Sequence, residues 1–184
     1  MENIFFDFNK LKYRGKNVII GKTVRVRYPE LVSIGDNCII DDFTYISTAL
    51  ELKGNIHISA GCKIIGGGTS SVNIDEYSTL SPGVVLVAGS DDYIGGIATP
   101  LVPMEVKGDV EIGYIRLEKH CLIGANSVVL PNVVFAEGAS VGALSLVKCN
   151  LESWVLYAGI PARKIKSRNR ERILNLENML KRKR

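Results

Sequence analysis

The chain has 184 residues and a net charge of +4, and 55 of its residues are Ile, Leu or Val. This apolar content excludes a disordered chain, and no apolar run reaches the ~18 residues of a membrane-spanning helix. Residues 163–184 carry a local charge of +8 and the remainder −4, which is unlike a uniformly basic nucleic-acid binder. With no signal peptide at the start, we expect a cytoplasmic protein of one domain, whose basic end meets a phosphate, a membrane surface or water.

Residues 1–17 precede the main pattern and are expected to form a cap. From residue 18 to residue 152, an aliphatic side chain recurs every six residues with two insertions. Fourteen of the fifteen positions are Ile, Leu or Val, and one is Phe: Ile34, Ile40, Ile46, Leu52, Ile58, Ile64, Ile74, Leu80, Leu86, Leu117, Ile123, Val129, Phe135, Val141 and Val147. A helix would repeat near 3.6 residues, and a hairpin sheet would not keep a six-residue register this long.

The fourth position of each unit favours residues that tolerate positive φ. They are Asn37, Asn55, Gly61, Gly67, Gly83, Gly89, Asn126, Asn132, Gly138 and Asn150. Each unit is therefore predicted to be a short strand followed by a tight corner. Three units make one triangular coil of roughly 18 residues, and stacked coils place the aliphatic residues in an inner stripe.

Two segments interrupt this register. The Gly66–Gly68 run could cradle a phosphate or could simply supply a corner. The longer break, residues 90–116, begins with Ser90, Asp91, Asp92 and Tyr93 and is predicted to be an irregular loop outside the coil. Inserted loops on rigid scaffolds commonly carry function, so we expect a wall of the active site, the alternative being a variable surface loop.

Residues 153–184 close the chain. The segment from Trp154 to Ile165 is expected to cap the open end of the coil. From Arg168 onward, Ile173, Leu176 and Leu180 lie at helical spacing, which predicts a basic amphipathic helix that packs rather than binds a membrane.

The cysteines and histidines argue against a metal site. Cys38, Cys62 and Cys121 occupy the small fifth position of their units and are predicted to be buried, reduced thiols. A catalytic zinc needs three imidazoles or equivalent ligands, whereas the chain has only His57 and His120. We therefore expect no metal.

The units IGDNCI, ISAGCK, IGANSV and VGALSL resemble those of the hexapeptide-repeat acyltransferases. This resemblance implies an all-β fold, a left-handed parallel β-helix with an inserted loop and a C-terminal α-helix. It also implies a homotrimer with sites between subunits. The GIPARK segment resembles the family's closing motif, with Ile160 in place of the usual Asn. This resemblance implies an acyl-CoA co-substrate, which we expect to be acetyl-CoA. Ala125 and Ala143 would hold its pantetheine, and Arg163 and Lys164 its phosphates.

Many O-acetyltransferases of this family place a histidine where this chain has Ser90–Asp91–Asp92. A sugar hydroxyl needs a general base before it attacks, whereas a neutral amine does not. The resemblance therefore favours an N-acyltransferase that modifies an amino-deoxy sugar nucleotide in surface-polysaccharide (lipopolysaccharide) biosynthesis. In this interpretation Asp91 orients the amine and His120 is a reserve base.

Two alternatives remain open from the sequence. One is an O-acetyltransferase of a sugar or polysaccharide hydroxyl, with His120 or His57 as the base. The other is a non-catalytic β-helix scaffold. Since His120 occupies a corner position, its side chain could also point to solvent. Candidate substrate contacts are Ser81, Asp92, Tyr93 and His57.

Overall fold

The six-residue register produces a coil of short parallel strands. The computed structural model describes residue 3 and residues 5–183. Its strands are β1 Tyr13–Arg14, β2 Ile19–Ile20, β3 Arg25–Val26, β4 Val32–Asp36, β5 Ile39–Ile40, β6 Tyr45–Gly54, β7 His57–Ile58, β8 Lys63–Ile74, β9 Thr79–Leu80, β10 Val85–Val87, β11 Gly89–Ser90, β12 Glu111–Ile112, β13 Tyr114–Leu117, β14 Leu122–Ile123, β15 Val128–Val129, β16 Val133–Phe135, β17 Ser140–Val141, β18 Leu146–Val147, β19 Val155–Ala158 and β20 Arg163–Ser167. Three 3₁₀ turns lie at Phe8–Lys10, Pro29–Leu31 and Met104–Val106, and helix α1 spans Arg170–Arg182.

The strands form three faces. Face 1 contains β2, β5, β7, β9, β14, β17 and β19 in parallel, followed by the antiparallel β20. Face 2 contains β3, the first half of β6, the first half of β8, β10, β15 and β18, and face 3 contains β1, β4, the second halves of β6 and β8, β13 and β16. We name the corners by the faces they join: the 1–2, 2–3 and 3–1 corners. The predicted left-handed parallel β-helix is confirmed.

The inner stripe forms as predicted. All fifteen first-position residues are at most 2% exposed, so each side chain points into the coil. The thiols of Cys38, Cys62 and Cys121 are buried beside the stripe. Burial raises the pKa of Cys62 to about 11 and that of Cys121 to about 12, which keeps both as neutral thiols.

The corners also follow the prediction, with exceptions. Eight of the ten predicted fourth-position residues have left-handed φ, but Gly89 and Asn150 do not. Gly89 instead pairs with Ile112 in a two-stranded antiparallel arm. Five bulky residues also adopt left-handed φ: Phe43, Tyr77, His120 and Leu144, which occupy fourth positions of the repeat, and Trp154, which does not.

The breaks in the register fall between faces 2 and 3. Strand β6 runs from one face to the next without a left-handed corner, and β8 spans the glycine run. Residues 90–116 leave the coil at the same corner and return at β13. The strand pairing extends beyond the expected boundaries, because β1 pairs with β4 before residue 18 and β19 pairs with β17 after residue 152.

Helix α1 is present where the spacing predicted a helix, but it docks through an unexpected face. Its buried residue is Glu177, whereas Leu176, Met179 and Leu180 are 55%, 54% and 40% exposed. Within the described residues, no helix is both long and apolar enough to cross a membrane.

Candidate active site

Ser81 lies at the approach to the 1–2 corner, directly after β9. Its backbone N–H donates to the carbonyl of Ile123 at 2.9 Å, which fixes the chain in the coil. The corner itself is Gly83, with a φ of 72°. A Cβ at Gly83 would stand 2.1 Å from Oδ1 of Asn126 on the next coil, so a larger residue there would require the Asn126 side chain to move. The half-buried Ser81 is thus held by a rigid turn on the coil surface.

Asp91 lies at the other end of face 2, where the inserted loop leaves β11. Its Oδ1 is 2.6 Å from Nζ of Lys107, and the two side chains are 39% and 11% exposed respectively. Lys107 follows the 3₁₀ turn at Met104–Val106 and reaches back across the loop. The nearly buried cation therefore holds a carboxylate that solvent can still reach.

Asp92 organises the loop from within. Its carboxylate accepts hydrogen bonds from the backbone N–H groups of Ile94, Gly95 and Asp109 at 2.8–3.1 Å. These bonds lower the pKa of Asp92 below its ordinary value. The carboxylate therefore stabilises the loop backbone. The expected contact of Asp92 with the substrate stays a prediction. Tyr93 is 91% exposed beside it.

His120 is a left-handed corner residue, as its position in the repeat predicted, but its side chain does not point to solvent. It is 8% exposed on the 3–1 corner, and its Nε2 lies 2.7 Å from Oε2 of Glu177 in α1. Its ring stacks on Tyr77 with centroids 5.4 Å apart and contacts Trp154 at 5.8 Å. These contacts attach the helix and do not favour the reserve-base hypothesis.

Glu177 completes this buried cluster. Burial opposes its charge, but hydrogen bonds from Lys181, Lys119 and His120 outweigh burial and lower its pKa to about 2. Lys119 also contacts Glu76 at 3.1 Å, and these acidic partners hold the pKa of Lys119 above its ordinary value although burial opposes the charge.

His57 lies on face 1 and pairs with a surface carboxylate. Its Nε2 is 2.8 Å from Oδ2 of Asp41, with the two side chains 43% and 42% exposed. Its strand neighbours are Ile39 and Thr79. His57 therefore lies on the outer surface of face 1.

The residues predicted to hold the acyl donor lie on the coils that follow Ser81. Ala125 and Ala143 each stand one residue before a 1–2 corner, at Asn126 and Leu144. The carbonyl of Ala125 accepts from the N–H of Leu144 at 2.9 Å, so that group belongs to the coil ladder. Arg163 and Lys164 begin the exposed strand β20, and Lys164 pairs with Glu152 at 2.5 Å.

The two predicted catalytic residues, Asp91 and His120, and the predicted substrate contact Ser81 are not brought together within one chain. Ser81 lies beside the 1–2 corner, Asp91 at the 2–3 corner and His120 on the 3–1 corner. Residues 84–88 run straight between the first two, with Val84, Leu86 and Ala88 buried. Five strand residues span ~16 Å, which is too far for Ser81 and Asp91 of one chain to meet at one amine.

Comparison with known proteins gives the family. The chain is 36% identical over 171 residues to dTDP-4-amino-4,6-dideoxy-D-glucose acyltransferase of Escherichia coli, which covers 91% of this chain and 87% of that protein. It is 35% identical to AntD, an N-acyltransferase from Bacillus cereus solved with dTDP and 3-hydroxybutyryl-CoA, with a TM-score of 0.90 and 98% of each chain covered. This chain belongs to the sugar-nucleotide N-acyltransferases of the hexapeptide-repeat family. None of the family models searched matches it.

A more distant relative points to related chemistry. The N-acyltransferase described here is 29% identical over 130 residues to WbbJ of Escherichia coli K12, which is named for lipopolysaccharide-biosynthesis O-acetyl transfer. That match covers 69% of this chain and 62% of WbbJ. The predictions of an acyltransferase and of N-acylation are confirmed by the family, and the scaffold alternative is not.

Two positions of this N-acyltransferase correspond in spacing to positions altered in AntD. The solved AntD variants replace one serine or one aspartate, ten positions apart in that protein. Here Ser81 and Asp91 form the sole pair in which an aspartate follows a serine by ten positions. Lys107 was missed by sequence reasoning because an irregular loop has no periodicity that would place it against Asp91.

Proposed function

We propose that this chain transfers an acyl group from acyl-CoA to the amino group of a dTDP-linked 4-amino-4,6-dideoxyhexose, in the cytoplasmic synthesis of a surface polysaccharide. The observation that carries the proposal is the Ser81–Asp91 pair at the spacing altered in AntD, in a chain similar to AntD over 98% of its length. A variant of AntD in which the serine is replaced by cysteine has been solved with dTDP-4-amino-4,6-dideoxyglucose and CoA.

Asp91 orients the acceptor amine. Its carboxylate accepts a hydrogen bond from the amine, while Lys107 keeps the carboxylate in one direction through the 2.6 Å contact. Because the cation offsets the negative charge, Asp91 stabilises a substrate ammonium less than a lone carboxylate would. More of the amine is then neutral and able to attack.

The acyl transfer needs no histidine to remove the proton. The amine nitrogen attacks the thioester carbonyl carbon, a C–N bond forms, and the C–S bond breaks. The departing thiolate takes the proton from nitrogen, which gives an amide and free CoA. Backbone N–H groups at the coil edge, together with the Ser81 hydroxyl, stabilise the oxyanion of the tetrahedral intermediate.

The active site is formed between copies of the chain. Since Ser81 and Asp91 lie at opposite ends of face 2, the groove must bring Ser81 of one copy to Asp91 of another. Face 1 offers an apolar contact surface, because its outward residues Ile19, Ile39 and Leu122 are 61%, 36% and 40% exposed. A homotrimer, the closed assembly expected for this family, repeats this groove three times.

The donor lies along the 1–2 corner beyond Ser81. The surface beside Ala125 and Ala143 receives the pantetheine, and the exposed cations Arg163 and Lys164 receive phosphate groups. This placement leaves the coils before Ser81 for the acceptor.

The test measures CoA thiol release with matched acceptors. dTDP-4-amino-4,6-dideoxyglucose is compared with dTDP-6-deoxyglucose, which carries a hydroxyl in place of the amine, using acetyl-CoA and 3-hydroxybutyryl-CoA as donors. We expect turnover with the amine alone and an amide product by mass spectrometry. Turnover with the hydroxyl acceptor alone would show an O-acyltransferase and refute the proposal.

A further inference from the structure

The left-handed corners of bulky residues divide into two kinds. Tyr77, His120 and Trp154 form the buried stack on the 3–1 corner, so packing offsets their backbone strain. Phe43 and Leu144 lie on the 1–2 corner and are 74% and 67% exposed, with no such packing. A strained, exposed aromatic residue is an observation from which function can be inferred.

The backbone of Phe43 is fixed by its neighbours. Its N–H donates to Oγ1 of Thr23 at 3.0 Å, and the same hydroxyl donates to the carboxylate of Asp42 at 2.7 Å. Asp42 also accepts from the N–H of Thr23 at 2.8 Å. The Phe43 ring is therefore presented by a rigid corner rather than by a mobile loop.

A cavity of about 400 Å³ opens beside this ring. It is lined by Phe5, Thr23, Arg25, Phe43, Thr44 and Tyr45. The guanidinium carbon of Arg25 lies 6.0 Å from the centroid of the Tyr45 ring. Aromatic faces combined with an arginine are the groups that bind the flat face of a nucleobase.

The cavity lies at a fixed distance from Ser81. Along the 1–2 corner the residues are Phe43, Gly61 and Gly83 on successive coils, so Phe43 is two strand spacings, about 10 Å, from the Gly83 corner. On face 2, Lys63 pairs with Tyr45 on one side and Val85 on the other. An exposed cation thus stands between the cavity and the coil of Ser81, where a diphosphate would lie.

We propose that this cavity binds the nucleobase of the acceptor, a nucleoside diphosphate sugar, with Lys63 contacting the diphosphate. The inference rests on the proposed function and adds the acceptor's binding subsite to it. The base stacks on Phe43 and Tyr45, and the diphosphate extends past Lys63 and delivers the sugar to the Ser81 corner. The donor occupies the opposite end of the same corner, towards Leu144.

The test uses Phe43→Asn, because Asn37, Asn55 and Asn126 show that asparagine suits these corners. Leu144→Asn is the matched control, with the same corner, the same φ region and a similar loss of exposed apolar surface. Isothermal titration calorimetry measures dTDP and CoA binding separately. We expect Phe43→Asn to raise the dissociation constant for dTDP about tenfold or more and to leave that for CoA unchanged. Leu144→Asn should leave the dTDP constant unchanged.

Three results would overturn the subsite. Phe43→Asn could bind dTDP as wild type does, or lose CoA rather than dTDP, in which case the cavity holds the donor's adenine. It could also lower the oligomeric state in sedimentation velocity, in which case the corner is a contact between copies. If wild type itself binds no dTDP, the proposed function fails together with the subsite, which distinguishes that failure from the other three.

Discussion

At the scale of single residues, the unusual feature is the pairing of Asp91 with Lys107. A carboxylate on an inserted loop would sample several rotamers if nothing held it. Displacing a catalytic group by about 1 Å can lower the reaction rate ~10²-fold. The nearly buried Lys107 side chain restricts the orientation of the Asp91 carboxylate, whereas the Asp92 carboxylate binds backbone N–H groups of the surrounding loop. Two adjacent acids therefore have separate tasks.

Lys107→Met should lower kcat/KM for the amine acceptor by about 10- to 100-fold, because Asp91 loses the contact that orients it. The pH–rate profile should also change: a lone carboxylate favours the substrate ammonium, so the acidic limb should move to higher pH. Steady-state kinetics between pH 6 and pH 9 measures both effects, and Lys107→Arg should restore part of the activity.

The control for this variant is Lys53→Met, which removes an exposed ion pair with Glu51 on face 3. It should leave the kinetics unchanged, since exposed pairs contribute little. An unchanged kcat/KM and pH profile in a folded Lys107→Met would rule out the positioning role.

At the scale of elements, helix α1 is attached to the coil by charge rather than by its apolar stripe. Glu177 contacts Lys119, His120 and Lys181, and Arg168 donates to the carbonyls of His120 and Gly138 at 2.7 and 2.6 Å. Removing one member of a buried ionic cluster leaves the others uncompensated. Protonation of Glu177 would remove its negative charge from this cluster, so the attachment of the helix depends on pH.

The helix contact should weaken in acid. The pKa of Glu177 is lowered from 4.5 to about 2, so its stabilising effect is complete above pH 4.5 and is lost as pH falls towards 2. The shift corresponds to roughly 3 kcal/mol as an upper estimate. Trp154 is the single tryptophan and belongs to the same cluster, so its fluorescence between pH 7 and pH 3 reports the change.

Glu177→Gln should remove this pH dependence and should increase hydrogen exchange in residues 170–182 already at pH 7. The matched variant is Glu171→Gln, which neutralises an exposed carboxylate in the first turn of the same helix. It should behave like wild type. Identical acid titrations of wild type and Glu177→Gln would contradict the assignment.

The elements show how far the sequence determines this fold. A six-residue register needs no distant information, so the stripe and most corners could be predicted from local residues. The burial of His120 depends on Glu177, 57 positions later, and no local signal specifies that contact. Phe43 did carry a signal: it occupies a fourth position without being Gly or Asn, which marks a corner whose strain requires another explanation.

At the scale of the whole molecule, one chain cannot complete the proposed site. The coil is rigid, and face 2 separates Ser81 from Asp91 along its full width. His120, the predicted reserve base, lies on the remaining corner and contacts Glu177. Self-association is therefore required for activity in the proposed mechanism, and Ser81→Ala and Asp91→Asn should be complementary.

Mixing these two inactive variants should restore activity. If each site takes Ser81 from one copy and Asp91 from the next, random assembly of equal amounts of the two variants leaves about one quarter of all sites intact. Unfolding and refolding the two chains together, followed by the thiol-release assay, measures this fraction. Refolding each variant alone is the control. If mixed trimers form but activity does not return, the site lies within one chain.

The stacking of coils has a further consequence for how such enzymes diversify. Each coil touches only the coils beside it, so a substitution in one coil disturbs little beyond its immediate neighbours. The coil with Phe43 and the coil with Leu144 are separated by three others along the 1–2 corner. In the proposed site, the residues that contact the acceptor and those that contact the donor therefore lie in different parts of the chain, so selection could change one preference without altering the other.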